Sequence, residues 1–257
     1  MTFRDNGEHA KLGNWLKEPK ASLVSWTKDP LKTVYWAFMN MHHEVPDSLA
    51  DLKVSDEELK DFFKTLIKQP HTTVLEFINT NWKLDNVSRA FAQELTRTRQ
   101  AAYSIQSLRI VDVGNFADNG NFHVPPEIRG KTELEEEFYQ AMRSSQETYK
   151  SLIAKGAPVQ AARGVLPLNI YSPITMSINM RSLIHTAELR LCENTQNEYR
   201  EVMRQMKQEV SMKLSPLLAE CMQPMCFRTK VCSSMVPCNK YNFTKEIQGD
   251  VTKWVKG

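Results

Sequence analysis

The sequence predicts an α+β fold, with few strands set among long helices. Three observations carry that prediction. Amphipathic stretches with helix-start signals recur along the 257 residues, whereas a single stretch alternates like a half-buried strand. No Gly-x-Gly-x-x-Gly occurs and the chain has only nine glycines, which argues against a doubly wound dinucleotide-binding sheet. No internal repeat is visible.

The first fifty residues are mixed, with Trp15, Trp26 and Trp36 as scattered apolar anchors. Residues 30–43 read as a helix carrying Val34, Phe38 and Met41 on one face. Ser55 and Glu58 form a capping box, in which each side chain satisfies the other's backbone donor. That helix runs to about residue 68 and stops before Pro70. Residues 74–82 predict a strand, Val74, Glu76, Ile78 and Thr80 alternating with Leu75, Phe77, Asn79 and Asn81. Asp85 is placed to cap a helix over 86–99, its core face Val87, Phe91 and Leu95. Arg97 and Arg99 then fall in the last turn, where cations suit the helix dipole.

Residues 114–126, rich in Asn, Gly and Pro, form a loop. Thr132 with Glu135 reads as a second capping box, opening a helix to about residue 155. Its Leu134, Phe138, Met142, Tyr149 and Ile153 are core packing, and Gly156 ends it. A further helix spans 194–222 with Tyr199, Met203, Met206 and Val210 on one stripe.

At 41% hydrophobic and 25% charged, the chain can build a core and is not disordered throughout. It has no run of eighteen apolar residues and no apolar signal core, so it is expected to be cytoplasmic, with no membrane partner. A net charge of +3 does not by itself suggest nucleic acid. Five cysteines, an odd number, are expected to be reduced. Cys221, Cys226, Cys232 and Cys238 crowd one stretch, but gaps of four, five and five residues fit no standard zinc spacing. They are expected to be free thiols holding no metal, and Cys192 a small core residue.

Three segments carry a family resemblance. Arg97, Arg99, Ser107 and Arg109 match the fixed positions of Arg-His-Arg-x-x-Ser-x-Asn-Glu-x-Ser-x-Arg. Thr98, Ala102, Ser104 and Ile105 stand where that pattern has His, Ser, Asn and Glu. Upstream, residues 71–77 (His-Thr-Thr-Val-Leu-Glu-Phe) are similar to His-x-Thr-Pro-Phe-Glu-His. Downstream, residues 162–171 (Ala-Arg-Gly-Val-Leu-Pro-Leu-Asn-Ile-Tyr) and then Asn179, Arg181, Ser182 and Leu183 continue the match, with Leu189, Arg190, Gln196 and Glu198 in register. Over about residues 71–198 the chain resembles the flavin-dependent thymidylate synthases.

That resemblance implies a mostly antiparallel central sheet with long flanking helices. The domain would occupy residues 1–220, followed by a Cys-containing extension over 221–257. It implies FAD as cofactor, NADPH and methylenetetrahydrofolate as co-substrates, dUMP as substrate, and a homotetramer with active sites between subunits. His71, Thr73, Arg97, Arg99, Asn179, Arg181, His185 and Leu189 align with flavin contacts. Glu94, Ser107, Arg109, Arg163 and Arg190 align with nucleotide contacts, Glu94 where the family has Gln. Arg190 and Ser107 are the candidate catalytic residues, Arg190 serving both ligands. Their expected work is orientation and charge stabilisation, for no His lies near Ser107 in sequence to make it a nucleophile. Asn194 stands where the family has a flavin-facing His, and Asn169 and Glu76 are expected to be structural. The clustered arginines fit the phosphates and carboxylates of these ligands. The substitutions at Thr98, Ile105 and Glu94 keep two alternatives open: a related C5 modification (hydroxymethylation, or dCMP as substrate), and a catalytically inactive nucleotide-binding homologue.

Overall fold

A computed structural model describes residues 17–69, 72–232, 234, 237–238, 240 and 244–245. In chain order it contains β1 (Lys20–Trp26), α1 (Pro30–Met39), α2 (Asp56–Leu66), β2 (Asn79–Asp85), α3 (Arg89–Leu95) and β3 (Ala101–Ile105). These are followed by α4 (Thr132–Ala154), α5 (Val159–Ala162), β4 (Ile174–Asn179), α6 (Met180–Arg190) and α7 (Asn197–Lys213). The last elements are α8 (Pro216–Cys221), α9 (Met225–Thr229) and the two-residue strands β5 (Val231–Cys232) and β6 (Thr244–Lys245). The fold is α+β, as expected. No helix among the described residues is long and apolar enough to cross a membrane.

The chain divides into two compact units. The first holds described residues up to Pro19 with 85–92 and 105–173; the second holds 20–84, 93–104 and the described residues from 174 onward.

The second unit is built on a four-stranded sheet of order β1-β2-β4-β3. β2 and β4 run antiparallel, pairing Thr80 with Ile178, Trp82 with Met176 and Leu84 with Ile174, all buried. The one buried hydroxyl among these is satisfied: Thr80 Oγ1 donates to the Ile178 carbonyl at 2.7 Å and accepts from Trp82 Nε1 at 2.9 Å. The edge strand β1 is covered by α7. There the Gln205 and Glu209 side chains accept from the Ala21 and Leu23 amides, each at 2.9 Å, completing a ladder that would otherwise stay open. The stripe Tyr199, Met203, Met206 and Val210 is fully buried, as its helical spacing requires.

The first unit has its own core of Leu108, Phe116, Ala117, Phe122, Val124, Met142 and Ile170, with Phe138, Tyr139 and Leu166 packed against it.

Several local expectations hold. The Ser55–Glu58 capping box is present, with Ser55 N donating to Glu58 at 2.9 Å and Glu58 N donating to Ser55 Oγ at 3.2 Å. Gly156 ends α4 at φ +90°, a conformation that strains any residue with a Cβ.

Others are corrected. Residues Thr73–Phe77 form a 3-10 turn before the strand, closed by Leu75 N on the Thr72 carbonyl at 3.0 Å. Val74 and Leu75 are both buried, and adjacent buried residues cannot share a strand's alternation. The helix expected over 86–99 is only Arg89–Leu95. Asn86 takes positive φ, the first amides bond to Leu168 and Ile170, and Ser88 rather than Asp85 caps Phe91 N at 2.9 Å. Arg97 and Arg99 therefore lie beyond its end.

Lys131, not Thr132, precedes α4, and Glu135 instead accepts from Gly130 N at 2.8 Å. Leu134 is 46% exposed and outside the core. α1 stops at Met39, leaving Met41 exposed. The long helix expected over 194–222 is two, because Pro216 has no amide to continue it and Ser215 Oγ caps Leu217 N at 3.2 Å. Trp15 and His71 lie outside the described residues.

Candidate functional site

In the second unit, β4 runs directly into α6, with Asn179 as the N-cap accepting from Ser182 N at 2.9 Å. This junction and the turn at Thr72 line a cleft of about 1110 Å³, together with residues of α6 and the 220–228 stretch. Of the expected flavin residues, Asn179, Arg181 and His185 line it. Arg181 Nη1 is 2.5 Å from Glu76, and His185 Nδ1 is 3.7 Å from Glu188, which also accepts from Arg228 Nε at 2.5 Å. Glu76, Glu188 and Arg228 thus belong to the cleft although the sequence marked none of them as site residues. Glu188 follows His185 at the i,i+3 spacing that puts both on one helix face, a signal that was legible. Arg228 arrives by tertiary folding and has no local signal.

A second cluster surrounds Arg190 at the end of α6. Its guanidinium lies 4.7 Å from the centroid of the buried Tyr199 ring and 3.4 Å from Glu94. The other Glu94 oxygen is 3.3 Å from Arg97. Glu94 therefore joins two of the expected ligand arginines. The turn carrying Arg97 and Arg99 is pinned by Tyr103 on β3, whose hydroxyl lies 3.0 Å from the Leu95 carbonyl and 2.8 Å from that of Thr98. Burial pushes the Tyr103 phenol up to about 12, so at neutral pH it holds this turn as a neutral donor. Burial also pushes the Tyr199 phenol up, leaving a neutral ring face for Arg190. Thr73, Arg97, Arg99 and Leu189 are exposed and do not line the cleft.

Cys221 also lines the cleft. Its thiol donates to the Leu217 carbonyl at 3.3 Å, and burial pushes it up to about 11. A thiol held protonated is not a nucleophile. The cleft sets Lys68, Arg181 and Arg228 beside Glu76, Glu188 and Glu220, so its charges balance while guanidinium and amide donors are held in fixed orientation.

The first unit holds Ser107, Arg109 and Arg163, all exposed. Ser107 Oγ accepts from Arg109 N at 3.3 Å in a local turn, and among the described residues no His, Asp or Glu is hydrogen-bonded to the hydroxyl as an activating base. Arg109 Nη2 donates to Gln160 Oε1 at 3.2 Å, which sets it against α5. Arg163 begins the 3-10 turn that follows α5, one turn on from Gln160, so the two arginines come to one neighbourhood. A separate cleft of about 630 Å³ in this unit, lined by Gln106, Asp112, Asn115 and Lys150 among others, includes none of the three. The buried His123 belongs to this unit too: burial, then the nearby Arg129, pushes its imidazole down to about 4.

Comparison with known proteins covers both units. A family model described as thymidylate synthase complementing protein matches residues 22–216. The chain is 27% identical over 242 residues to the flavin-dependent thymidylate synthase of Pyrococcus abyssi, covering 92% of this chain and 97% of that one. It is 32% identical over 182 residues to the enzyme of the same name from Geobacter sulfurreducens, covering 70% and 77%. Among solved structures it is similar in fold to a UMP/dUMP methylase, PolB from Streptomyces cacaoi, bound with 5-Br dUMP. There the TM-score is 0.66 at 19% identity, covering 80% of this chain and 95% of that one.

Proposed function

The chain belongs to the thymidylate synthase complementing protein family, and we propose that it is a flavin-dependent thymidylate synthase converting dUMP to dTMP. FAD is the cofactor in this reading, with NADPH as reductant and methylenetetrahydrofolate as carbon donor. The observation that carries it is the alignment with synthases of that name along nearly the whole chain, with Asn179, Arg181 and His185 lining one large cleft.

The residues present fit a flavin dinucleotide. Arg181 and Arg228 present guanidinium groups held by carboxylates, and Asn179 and Gln100 add amides, the donor set that a pyrophosphate and polar ring edges require. The bound flavin would supply the hydride chemistry. The chain's own part is to bind and orient. Arg190, held between Glu94 and Tyr199, keeps a fixed positive charge at the end of α6. Arg109 and Arg163 meet a nucleotide phosphate, and Ser107 offers a hydroxyl rather than a nucleophile. The reading includes a homotetramer whose subunits share the active sites.

The departure at Glu94 favours a second reading, in which a different pyrimidine nucleotide is modified. A carboxylate accepts from an amino group, which dCMP has and dUMP lacks, whereas the family's amide both donates and accepts.

The direct test of cofactor use is FAD titration of the apoprotein, followed by flavin absorbance and by anaerobic bleaching with NADPH. We expect stoichiometric uptake in the wild type and uptake weakened at least tenfold in Arg181→Ala. Failure to take up FAD ends the flavin reading. Light scattering tests the assembly, with a tetramer expected and an active monomer contradicting it.

A further inference from the structure

The turn that carries Arg97 and Arg99 has little structure of its own. After α3 ends at Leu95, two short-range amide bonds hold it: Arg97 N donates to the Glu94 carbonyl at 3.4 Å and Thr98 N to the Leu95 carbonyl at 3.0 Å. The first is long for an N–H···O bond, and neither involves Arg99. The motif is also broken here. Thr98, Ala102, Ser104 and Ile105 stand where the family pattern has His, Ser, Asn and Glu, and each replacement shortens or removes a polar side chain. All four flank Tyr103.

Tyr103 supplies what the turn lacks. It is the third of the five residues of β3, and its half-buried hydroxyl lies 2.8 Å from the Thr98 carbonyl and 3.0 Å from that of Leu95. One phenolic proton serves two carbonyls, and Leu95 already accepts from Thr98 N. The shorter bond matters more, because among the described residues no other donor meets the Thr98 carbonyl. That carbonyl shares a planar peptide unit with the Arg99 amide, so holding it sets the direction in which Arg99 leaves the turn. The hold comes from a strand paired into the four-stranded sheet, a firmer base than the turn itself. Arg97 is oriented separately, by Glu94 at 3.3 Å. With burial pushing the phenol up to about 12, the hydroxyl stays a donor through the neutral range.

We propose that Tyr103 is a positioning residue for flavin binding: its hydroxyl fixes the 98–99 peptide and so aims Arg99, beside the Glu94-held Arg97, at the anionic groups of the cofactor. This rests on the flavin reading and extends it to a position that the motif leaves open. Tyr103 acts through Arg99 and not by touching the ligand. An arginine set in place beforehand loses less freedom when the anion arrives, and that saving appears as affinity.

The test is a double-mutant cycle read by FAD titration of the apoprotein, with urea unfolding of every variant beside it. Tyr103→Phe keeps the ring and removes the hydroxyl. We expect it to weaken FAD on the order of 10-fold. In an Arg99→Ala background the same substitution should change FAD affinity by less than about 2-fold, since no Arg99 remains to be aimed. A hydroxyl that only supports the fold would lower stability and weaken FAD by the same factor in both backgrounds, which overturns the proposal. Unchanged FAD affinity in Tyr103→Phe overturns it as well. Should that variant fold poorly, hydrogen exchange of the wild-type apoprotein decides. The Thr98 amide should be protected before FAD is added; protection that appears only with FAD would show that the ligand, and not Tyr103, builds the turn. Wild-type protein that takes up no FAD overturns the flavin reading itself, a result distinct from equal uptake by wild type and Tyr103→Phe.

Discussion

The arginines of the candidate sites are held differently in the two units, although the first unit pairs charges elsewhere, Arg129 with Glu18 and Lys150 with Asp118. In the second, the guanidinium groups of Arg97, Arg181, Arg190 and Arg228 each stand against a carboxylate, and Arg190 is stacked on a ring as well. In the first, no carboxylate among the described residues pairs with Arg109 or Arg163, Arg109 resting only on an amide. The buried titratable group of the first unit, His123, is held neutral, and among the described residues its Nδ1 has no hydrogen-bond partner. The difference separates two ways of meeting an anion. A paired arginine is oriented before the ligand arrives, and where it is also shielded from water, as Arg190 is, its loss is felt in folding too; the exposed pairs of Arg97 and Arg228 add little stability. An unpaired one contributes when the anion binds, and its loss is felt in affinity.

The largest effect expected from this contrast is in acid. His123 titrates near 4 in the folded chain against an ordinary value of 6.5. The unfolded chain therefore takes the proton first, so stability is complete above pH 6.5 and falls as pH drops through about 4. The full contribution is about 3 kcal/mol. Denaturant unfolding of wild type and His123→Gln across this range should show the extra slope in the wild type alone. Equal slopes would mean that the ring is not held neutral by burial.

Next come Arg109→Ala and Arg163→Ala. Each should weaken nucleotide binding by on the order of 10- to 100-fold and shift stability by less than about 0.5 kcal/mol. Calorimetric titration beside thermal melting separates the two, and unchanged affinity in both variants would remove these residues from the site.

Arg190→Ala should show the reverse emphasis, a stability loss of about 2 kcal/mol, since it strips the Tyr199 face and leaves half-buried Glu94 with Arg97 alone. Arg190→Lys should recover only part of that, because an ammonium cannot reproduce the flat stack. The smallest effect is expected for Glu94→Gln, under about 1 kcal/mol in stability. It should raise phosphate-ligand affinity a few-fold by freeing two arginines from a carboxylate, and a fall in affinity would show that Glu94 itself contacts the ligand.

What could be read from the residues alone was decided by range. The Ser55 capping box, the Gly156 stop and the methionine stripe of α7 are local patterns, and they stand as expected. In residues 74–82 alternation in composition does not follow alternation in burial, because the Thr72 carbonyl first closes a 3-10 turn. Pro216 is a legible break within the 194–222 stretch, because a helix cannot continue through a residue without an amide. In the site, the motif residues located Asn179, Arg181 and His185, but not the carboxylates that hold the arginines. Glu94 was read as a ligand contact, and its bonds to Arg97 and Arg190 depend on a fold that sets residues 94 and 190 side by side.

The central claim is that this chain methylates dUMP with a flavin. The most direct measurement incubates the purified protein with FAD, NADPH and methylenetetrahydrofolate, offers dUMP and dCMP in separate reactions, and identifies products by mass. The account predicts dTMP from dUMP, dependent on added flavin and absent in Arg190→Ala. A hydroxymethylated product, turnover of dCMP alone, or no turnover by a flavin-loaded protein would contradict it.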